Sequence, residues 1–515
     1  MIRRILTVLT LLLVPGSLGA QAGQAVARAY REAHEAEILR AFADLLSRPN
    51  VARDSASILA NAEYLRGRLQ AVGVHASLWT RPDAPPVVYG ELLVPGATRT
   101  LGIYVHYDGQ PVDSARWRQG PWTPTLYDGP ASAGGAVRPF PGPGEGVDPE
   151  WRIYARSAGD DKAPIGALLP VLQALRDAGV SVTSNLKFFF EGEEEAGSPR
   201  LRSYLESHRD QLDDIDIWLF FDGPVHQSRR PLITYGARGV TGLEVTVYGA
   251  VRPLHSGHYG NWAPVPGQML ANLLASMKDD EGNVLVAGFY DTVEPLGDLE
   301  RQALARLPDY DPVLKRELGL VHTEGGGASL AERLLLPSLT VRGLASANVG
   351  ALARNVIPAT ATASLGIRLV KGNDPEHMQD LVEAHIRAQG YHIVREDPDM
   401  ATRLAYPKIA RVVRGGGYRA ARTDMGIPIV QAVTAATRQA AAAAGGGDLV
   451  VVPALGGSLP LYLFTEVMGK PAVIIPVANH DDNQHAANEN LRVANLWYAI
   501  DLYGALLTMP ERPVP

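Results

Sequence analysis

Cysteine is absent from the 515-residue sequence, and its absence removes several classes of site at once. Disulfides, thiol nucleophiles and thiolate metal sites are excluded, so a bound metal would have to be held by histidine and carboxylate side chains. Basic segments are also lacking, because 48 Lys and Arg are outnumbered by 55 Asp and Glu, for a formal net charge of −7. Nucleic acid is therefore not expected as a partner.

Apolar runs long enough to cross a membrane are lacking too, and the run at the N terminus is short. Basic residues 3–4 precede apolar residues 5–14, and an Ala-Gln-Ala site at residues 20–22 follows a Pro-Gly break. A membrane span needs about 20 apolar residues, so a signal peptide at residues 1–22 is favoured over an anchor. The short basic region is typical of bacterial leaders. We therefore expect a periplasmic or secreted protein with no membrane attachment after cleavage.

Short apolar runs alternate with helical patterns over much of the chain. Four such runs predict strands, at residues 101–105, 185–190, 215–221 and 472–476. Strands that alternate with helices are typical of a sheet covered by helices on both faces. The sequence thus predicts an α/β fold with a mixed, mostly parallel sheet flanked by helices.

A middle segment has a different pattern. Residues 241–248 and 360–370 alternate apolar and polar side chains, as half-exposed antiparallel strands do. Helices are predicted at residues 267–277 and 375–389. We interpret this segment as an α+β domain inserted into a larger one. The predicted boundaries are a larger domain in two parts, 23–237 and 422–515, and an inserted domain at 238–421.

Histidine and carboxylate side chains follow the predicted strands, at the ends where open α/β sheets bind their ligands. In chain order these clusters are His106-Tyr107-Asp108, Asp160-Asp161, Glu191 to Glu195, Asp222 and His485. Each cluster alone could be a solvated surface feature, as glutamate runs often are. Together they would repel one another unless cations neutralise them. The sequence therefore predicts a hydrolytic site with two metal ions.

The order and spacing of these motifs resemble those of the co-catalytic zinc metallopeptidases. That family includes carnosinase-type dipeptidases, glutamate carboxypeptidases, succinyl-diaminopimelate desuccinylase and aminoacylase. The matching elements are HYD at 106–108, SAGDDKAP at 157–164, EGEEEAGSP at 191–199, FDG at 221–223 and DDNQHAANEN at 481–490. HYDGQPVD at 106–113 and ITYGARG at 233–239 favour the dipeptidase-like branch. The resemblance implies a zinc-exopeptidase-like catalytic domain, a lid and dimerisation domain, and a homodimer.

The resemblance also implies a set of metal ligands. Asp160 would bridge two Zn²⁺ ions in each subunit, with Mn²⁺ or Co²⁺ as alternative metals. His106 and Asp222 would complete one site, and Glu195 and His485 the other. His485 is preferred over the nearby His480, since it keeps the family's spacing to the Asn-Glu pair that follows.

Further roles follow from the same resemblance. Glu194 would be the general base that activates the metal-bound water, and Asp108 would orient the imidazole of His106. His255 matches a histidine that enters the partner subunit's active site and stabilises the oxyanion. The residues expected to bind substrate are Asn355, Arg368, Gly457 and Ser458.

Several positions depart from the family's pattern without removing a ligand. Ser157 and Ala163 stand where the family has glycine on either side of the bridging aspartate. The Gly- and Pro-rich segment 120–150 is predicted to be an exposed loop. It is longer than the corresponding segment usually is in the family. These departures concern the surroundings of the metals and therefore the choice of substrate.

The expected activity is hydrolysis of the amide bond of a dipeptide or short peptide by an exported dinuclear metalloenzyme. The same metals and base would serve an N-acyl-amino-acid deacylase or a carbamoylase, and the sequence does not separate these alternatives. A non-catalytic exported binding protein would also keep the fold. The presence of Glu194 beside the ligands argues against that third interpretation.

Overall fold

The computed structural model describes residues 17–445 and 447–510. Most of the predicted signal peptide lies outside these residues. The helices, in chain order, are α1 Ser17–Leu46, α2 Ser55–Ala71, α3 Lys162–Asp177, α4 Leu201–Ser207, α5 Arg209–Leu212, α6 Ser256–Tyr259, α7 Pro266–Ala275, α8 Asp298–Leu304, α9 Asp311–Glu317, α10 Leu330–Leu334, α11 Pro375–Ala388, α12 Met400–Ala405, α13 Pro428–Ala443 and α14 Val493–Leu507. Within the described part of the chain, no helix combines the length and apolarity needed to cross a bilayer.

The strands, in chain order, are β1 His75–Arg81, β2 Ala84–Leu92, β3 Thr100–His106, β4 Thr125–Tyr127, β5 Val137–Arg138, β6 Arg152–Tyr154, β7 Asn185–Glu191, β8 Ile217–Phe220, β9 Leu232–Thr234, β10 Gly236–Tyr248, β11 Leu254–His255, β12 Ser338–Ala345, β13 Val356–Ile357, β14 Thr360–Leu369, β15 His392–Val394, β16 Ile409–Arg414, β17 Ala421–Arg422, β18 Val450–Val452, β19 Leu455–Ser458, β20 Ala472–Ile474 and β21 Asn490–Arg492. The four strands predicted from apolar runs are β3, β7, β8 and β20.

The chain divides into two compact units. The first contains the residues up to 233, residues 424–451 and the residues from 470 onwards, and the second contains residues 234–423 and 452–469. Residues 452–469 were expected in the larger domain. They group with the second unit because β19 pairs with β10.

The first unit is built on an eight-stranded sheet with the order β1-β2-β7-β3-β8-β20-β9-β18. β3 is parallel to both β7 and β8, and β20 is parallel to β8, whereas β1 and β2 form an antiparallel edge. The central strands are buried along nearly their whole length, as expected for parallel strands covered on both faces. The predicted mixed sheet flanked by helices is thus confirmed, and its central strands end at one common edge.

The Gly- and Pro-rich residues 120–150 contain short strands rather than only loop. β4 and β6 form a small antiparallel sheet with β5 and β21, in which Tyr154 pairs with Asn490. The backbone N–H of Arg118 also donates to Asn488 Oδ1 at 2.8 Å. This sheet therefore anchors the segment that carries His485.

The second unit contains the predicted antiparallel strands. β10 pairs with β14 from Gly239↔Leu369 to Tyr248↔Thr360, within a sheet of order β12-β14-β10-β16-β15. α7 and α11, close to the predicted helices, contribute to the hydrophobic core formed with this sheet. The prediction of an inserted α+β domain is confirmed.

Candidate metal centre and active site

Among the described residues of the first unit, two groups of three side chains could each hold a metal ion. The ligand atoms in each group lie within 4.8 Å of one another, and the two groups share Asp160. The first group contains His106, Asp160 and Asp222, and the second contains Asp160, Glu195 and His485. The structure thus brings together all five residues that the motifs suggested as ligands.

The topology of the sheet explains this convergence. His106 is the last residue of β3, and Asp222 lies two residues beyond β8. Glu195 lies in the short turn that follows β7, and Asp160 lies just before α3. Because β3, β7 and β8 are parallel neighbours, their carboxyl ends deliver these side chains to one edge.

The two carboxylate oxygens of Asp160 contact residues of different ligand groups. Oδ1 lies 2.8 Å from Nε2 of His106, which belongs to the first group. Oδ2 lies 3.1 Å from Nε2 of His485 and accepts a hydrogen bond of 2.9 Å from Nε2 of Gln484. This divided geometry is what a bridging carboxylate between two ions requires.

Asp108 is fully buried and has two sets of contacts. Its Oδ1 lies 3.4 Å from Nδ1 of His106, so the carboxylate can fix the orientation of the imidazole. Its two oxygens also accept hydrogen bonds of 3.1 Å from the backbone N–H groups of Glu194 and Glu195. The first contact was expected from the sequence, and the second was not. A single carboxylate therefore holds both a histidine ligand and the turn that carries Glu194.

Glu489 is a residue whose role the sequence analysis missed. Its buried carboxylate accepts hydrogen bonds from Arg156 Nη1 at 2.7 Å and from the backbone N–H groups of Ser157, Gly159 and Asp160 at 3.0 Å each. It thus fixes the loop that presents the bridging aspartate. The motif contained this glutamate, but its only use there was as a marker of spacing for His485.

The crowding of acidic groups strongly perturbs their ionisation. Burial raises the pKa of Asp222 to about 7, and the charges of Asp160 and Glu195 add to the rise. Burial likewise raises the pKa of Glu191 to about 8. Hydrogen bonds to Asp160 and Glu195 raise the pKa of His485 to about 10. Buried carboxylates of this kind need protons or divalent cations beside them, so this set of nitrogen and oxygen donors fits a pair of metal ions.

Replacing Asp222 with asparagine is expected to stabilise the metal-free protein. The pKa of this carboxyl is higher in the folded than in the unfolded chain, so stability is lost as pH rises from about 4 to about 7 and stays reduced above that. Asp222→Asn should therefore raise the Tm of metal-free protein at about pH 8 and have a smaller effect at about pH 5. Calorimetry of the chelator-treated wild type and variant measures the difference in Tm at each pH. An equal difference in Tm at the two pH values would contradict the argument.

Glu194 belongs to neither ligand group although it is adjacent to Glu195. Its half-buried side chain lies close enough to Asp222, Asp160 and Asp108 for their charges to add to the effect of burial, which raises its pKa well above the usual value. A carboxylate at the metal cluster that is not itself a ligand is placed to accept and return a proton.

The predicted oxyanion residue His255 and the predicted substrate-binding residues all lie in the second unit. His255 ends β11, which pairs with β13, and the backbone N–H of Ser256 donates to the carbonyl oxygen of Asn355 at 3.0 Å. Arg368 lies on β14 and donates a hydrogen bond from Nη1 to Oγ of Ser458. Gly457 precedes that serine on β19.

The imidazole of His255 is exposed and held by its own turn. Its Nδ1 accepts a hydrogen bond of 3.1 Å from the backbone N–H of Gly257. In the neutral ring the proton must then reside on Nε2, which is thereby a hydrogen-bond donor. Such a donor suits the stabilisation of a developing oxyanion.

Comparisons with known proteins agree with this geometry. A sequence model described as Peptidase family M20/M25/M40 matches residues 102–509, which include every motif from His106 to His485. The chain is 28% identical over 427 residues to the Cys-Gly metallodipeptidase DUG1 of Candida albicans, covering 80% of this chain and 78% of that protein. It is 27% identical over 429 residues to the Beta-Ala-His dipeptidase of Homo sapiens, covering 81% and 75%. The structure is similar to that of an M20 family metallo-carboxypeptidase from Sulfolobus solfataricus, with a TM-score of 0.72, 26% identity and coverage of 92% and 99%.

Proposed function

Since the chain belongs to peptidase family M20/M25/M40 and is thus a metal-dependent peptidase, we propose that it is an exported dinuclear zinc enzyme that cleaves dipeptides. The observation that carries this proposal is the pair of ligand groups joined by Asp160, with Glu194 beside them but outside both. Two ions in such a site would polarise the scissile carbonyl and lower the pKa of the attacking water.

Protein side chains then transfer the proton of the attacking water. Glu194 accepts the proton from the attacking water and returns it to the amine that leaves. Asp108 keeps Glu194 in place through the backbone of its turn and orients His106 at the same time. His255 donates from Nε2 to the oxyanion.

The residues that the family resemblance assigns to the substrate backbone are Asn355, Arg368, Gly457 and Ser458. Arg368 offers a planar guanidinium that can bind a carboxylate in a bidentate manner, and its hydrogen bond to Ser458 fixes the side chain for that purpose. Asn355 and the Gly457-Ser458 segment add polar contacts to the peptide. A free carboxylate on the substrate is therefore favoured.

The similarity to relatives named as dipeptidases supports a dipeptide as the substrate, rather than another amide. A substrate library tests this choice. The mature chain would be loaded with Zn²⁺ or Mn²⁺ and incubated with a library of dipeptides, tripeptides and N-acyl amino acids, with Glu194→Gln as control. Loss of dipeptides with the wild type alone supports the proposal. Loss of only N-acyl amino acids would instead assign a deacylase, and metal binding without any hydrolysis would assign a binding protein.

Export is supported by the leader at residues 1–22 and by where burial begins. Residues 21–22 are exposed, whereas Gly23 and Gln24 are buried. A Cβ added to Gly23 would lie 2.1 Å from Oγ1 of Thr508, so this residue packs tightly against the end of α14. The proposed cleavage after Ala22 would thus leave the packed part of α1 intact. N-terminal sequencing of the protein exported by a bacterial host would read Gly23 first.

A homodimer is supported by the apolar edge of the second unit. β12 is an edge strand of the sheet, and its residues from Thr340 to Ala345 are exposed, including Val341 and Leu344. Val349, four residues beyond the end of β12, is 86% exposed. An edge strand with exposed apolar side chains is suited to pairing with a second copy of the chain.

Mixing two inactive variants tests whether His255 acts on the partner's substrate. His255→Ala and Glu194→Gln should each be nearly inactive as separate proteins. If His255 acts across a dimer, random re-association should restore about a quarter of wild-type activity, since half the dimers are mixed and each contains one complete site. The matched control is a mixture of Glu194→Gln with Asp160→Asn, which stays inactive. No recovery in the first mixture, at a mass that shows a dimer, would place His255 in its own subunit's site.

A further inference from the structure

Asn50 is a fully buried asparagine in the loop between α1 and α2, outside every motif of the sequence. Its Nδ2 donates to the carbonyl oxygen of Tyr107 at 2.8 Å and to Oγ of Ser157 at 2.9 Å. Its Oδ1 accepts from Nε1 of Trp122 at 3.3 Å. Its own carbonyl oxygen accepts from the backbone N–H of Gly109 at 2.9 Å. The amide therefore uses both donors and its acceptor.

Two partners of Asn50, Tyr107 and Ser157, lie beside His106 and Asp160, which are two of the three members of the first ligand group. Tyr107 stands between His106 and Asp108, and Ser157 precedes Asp160 by three residues. A Cβ at Gly109 would lie 2.3 Å from Oγ of Ser157 and 3.1 Å from Nδ2 of Asn50, so the loops meet with no spare volume. The side chain of Asn50 thus directly connects the segment that carries His106 with the segment that carries Asp160.

The backbone that precedes Asn50 is held by further buried hydrogen bonds. The buried Nζ of Lys162 donates to the carbonyl oxygens of Leu45 and Arg48, at 3.1 Å each, and to Oδ1 of Asn61 at 2.9 Å. Nδ2 of Asn61 donates to the carbonyl oxygen of Pro49 at 2.7 Å. The chain just before Asn50 is therefore tied to the first residue of α3 and to α2 by these hydrogen bonds.

We propose that Asn50 is a positioning residue that sets the placement of His106 relative to Asp160, and thereby the geometry of the first metal group. The inference rests on the proposed metal site and extends it. The site requires a side chain with two donors and one acceptor at this point, and only an amide of this length supplies them. Removal would leave the carbonyl of Tyr107 without this donor in a buried place and free the two loops to separate.

The test uses metal titration of the chelator-treated full chain, which needs no substrate. Asn50→Ala should weaken binding of one ion by about 10- to 100-fold, the usual effect of removing a group that orients metal ligands. The second ion should lose less affinity, because its group shares Asp160 but does not contain His106. At saturating metal kcat should fall while KM stays close to that of the wild type, and the Co²⁺-substituted protein should show a changed visible spectrum. Asn50→Asp keeps the acceptor for Trp122 but turns an oxygen towards Tyr107, so it should behave like the alanine variant.

Asn185→Ala is the matched control for loss of an internal amide. Asn185 begins β7, at the opposite end from Glu191, and accepts from the backbone N–H of Val94 at 2.9 Å. Both alanine variants should lower the Tm of the metal-free protein, but only Asn50→Ala should change metal affinity and the Co²⁺ spectrum. Equal metal affinity in Asn50→Ala and Asn185→Ala would overturn the inference. Failure of the wild type to bind metal would instead overturn the proposed function.

Discussion

Replacing Glu194 with glutamine is expected to remove nearly all turnover while both metal ions stay bound. Glutamine has almost the same size and can occupy the same place, but it cannot accept a proton from the attacking water. General acid–base groups usually contribute about 10²- to 10⁴-fold, so kcat should fall by that order with a small change in KM. Steady-state kinetics on the best dipeptide and metal analysis of the purified variant measure the two quantities.

Glu193 is the matched control for this substitution. It is an adjacent buried carboxylate whose Oε1 accepts from the backbone N–H of Arg200 at 2.8 Å, and it belongs to neither ligand group. Glu193→Gln should therefore keep most of the wild-type kcat. A Glu194→Gln enzyme with near-normal kcat would show that another group moves the proton. Loss of metal from Glu194→Gln would show that this residue acts through the ligands instead.

The placement of the ligands could be anticipated from sequence because it depends on one topological rule. His106 and Asp222 each follow an apolar run, and parallel strands deliver such residues to a common edge. The motif spacing favoured His485 over His480, and the structure places Nε2 of His485 3.2 Å from Oε2 of Glu195. Both signals, an apolar run followed by a His or Asp and a fixed spacing within a motif, can be seen in short stretches of sequence.

The supporting contacts could not be anticipated, because they join segments far apart in sequence. Glu489 contacts a loop some 330 positions earlier, and Asn50 contacts residues 57 and 107 positions later. Nothing in the local sequence around either residue indicates its partner. Buried polar side chains form hydrogen bonds with whichever groups the fold brings next to them, and these can be far away in sequence. The same holds for residues 452–469, whose short strand β19 joins the second unit by pairing with β10. Sequence reasoning thus missed the groups that hold the candidate ligands in place, while it placed the candidate ligands together.

Replacing Asp160 with asparagine is expected to remove both metal ions and all measurable turnover. Its two oxygens face the two ligand groups, so loss of the carboxylate charge weakens both sites at once. The wild type should release protons as it binds metal, because Asp160 and Glu195 hold the pKa of His485 at about 10 and a histidine ligand must be neutral. Titration calorimetry in buffers of different ionisation enthalpy measures stoichiometry and proton release together.

Substitutions at the other ligands separate the two groups. Asp222→Asn should lose the ion of the first group and keep the other, and His485→Gln should do the reverse, since each of these residues belongs to one group only. A folded Asp160→Asn protein that still binds one ion tightly would show that Asp160 serves a single site. In that case the two groups are independent, and the bridging geometry would not account for the activity. Loss of both ions from Asp160→Asn, beside loss of one from each single-group variant, identifies the shared carboxylate as the residue on which the dinuclear centre depends.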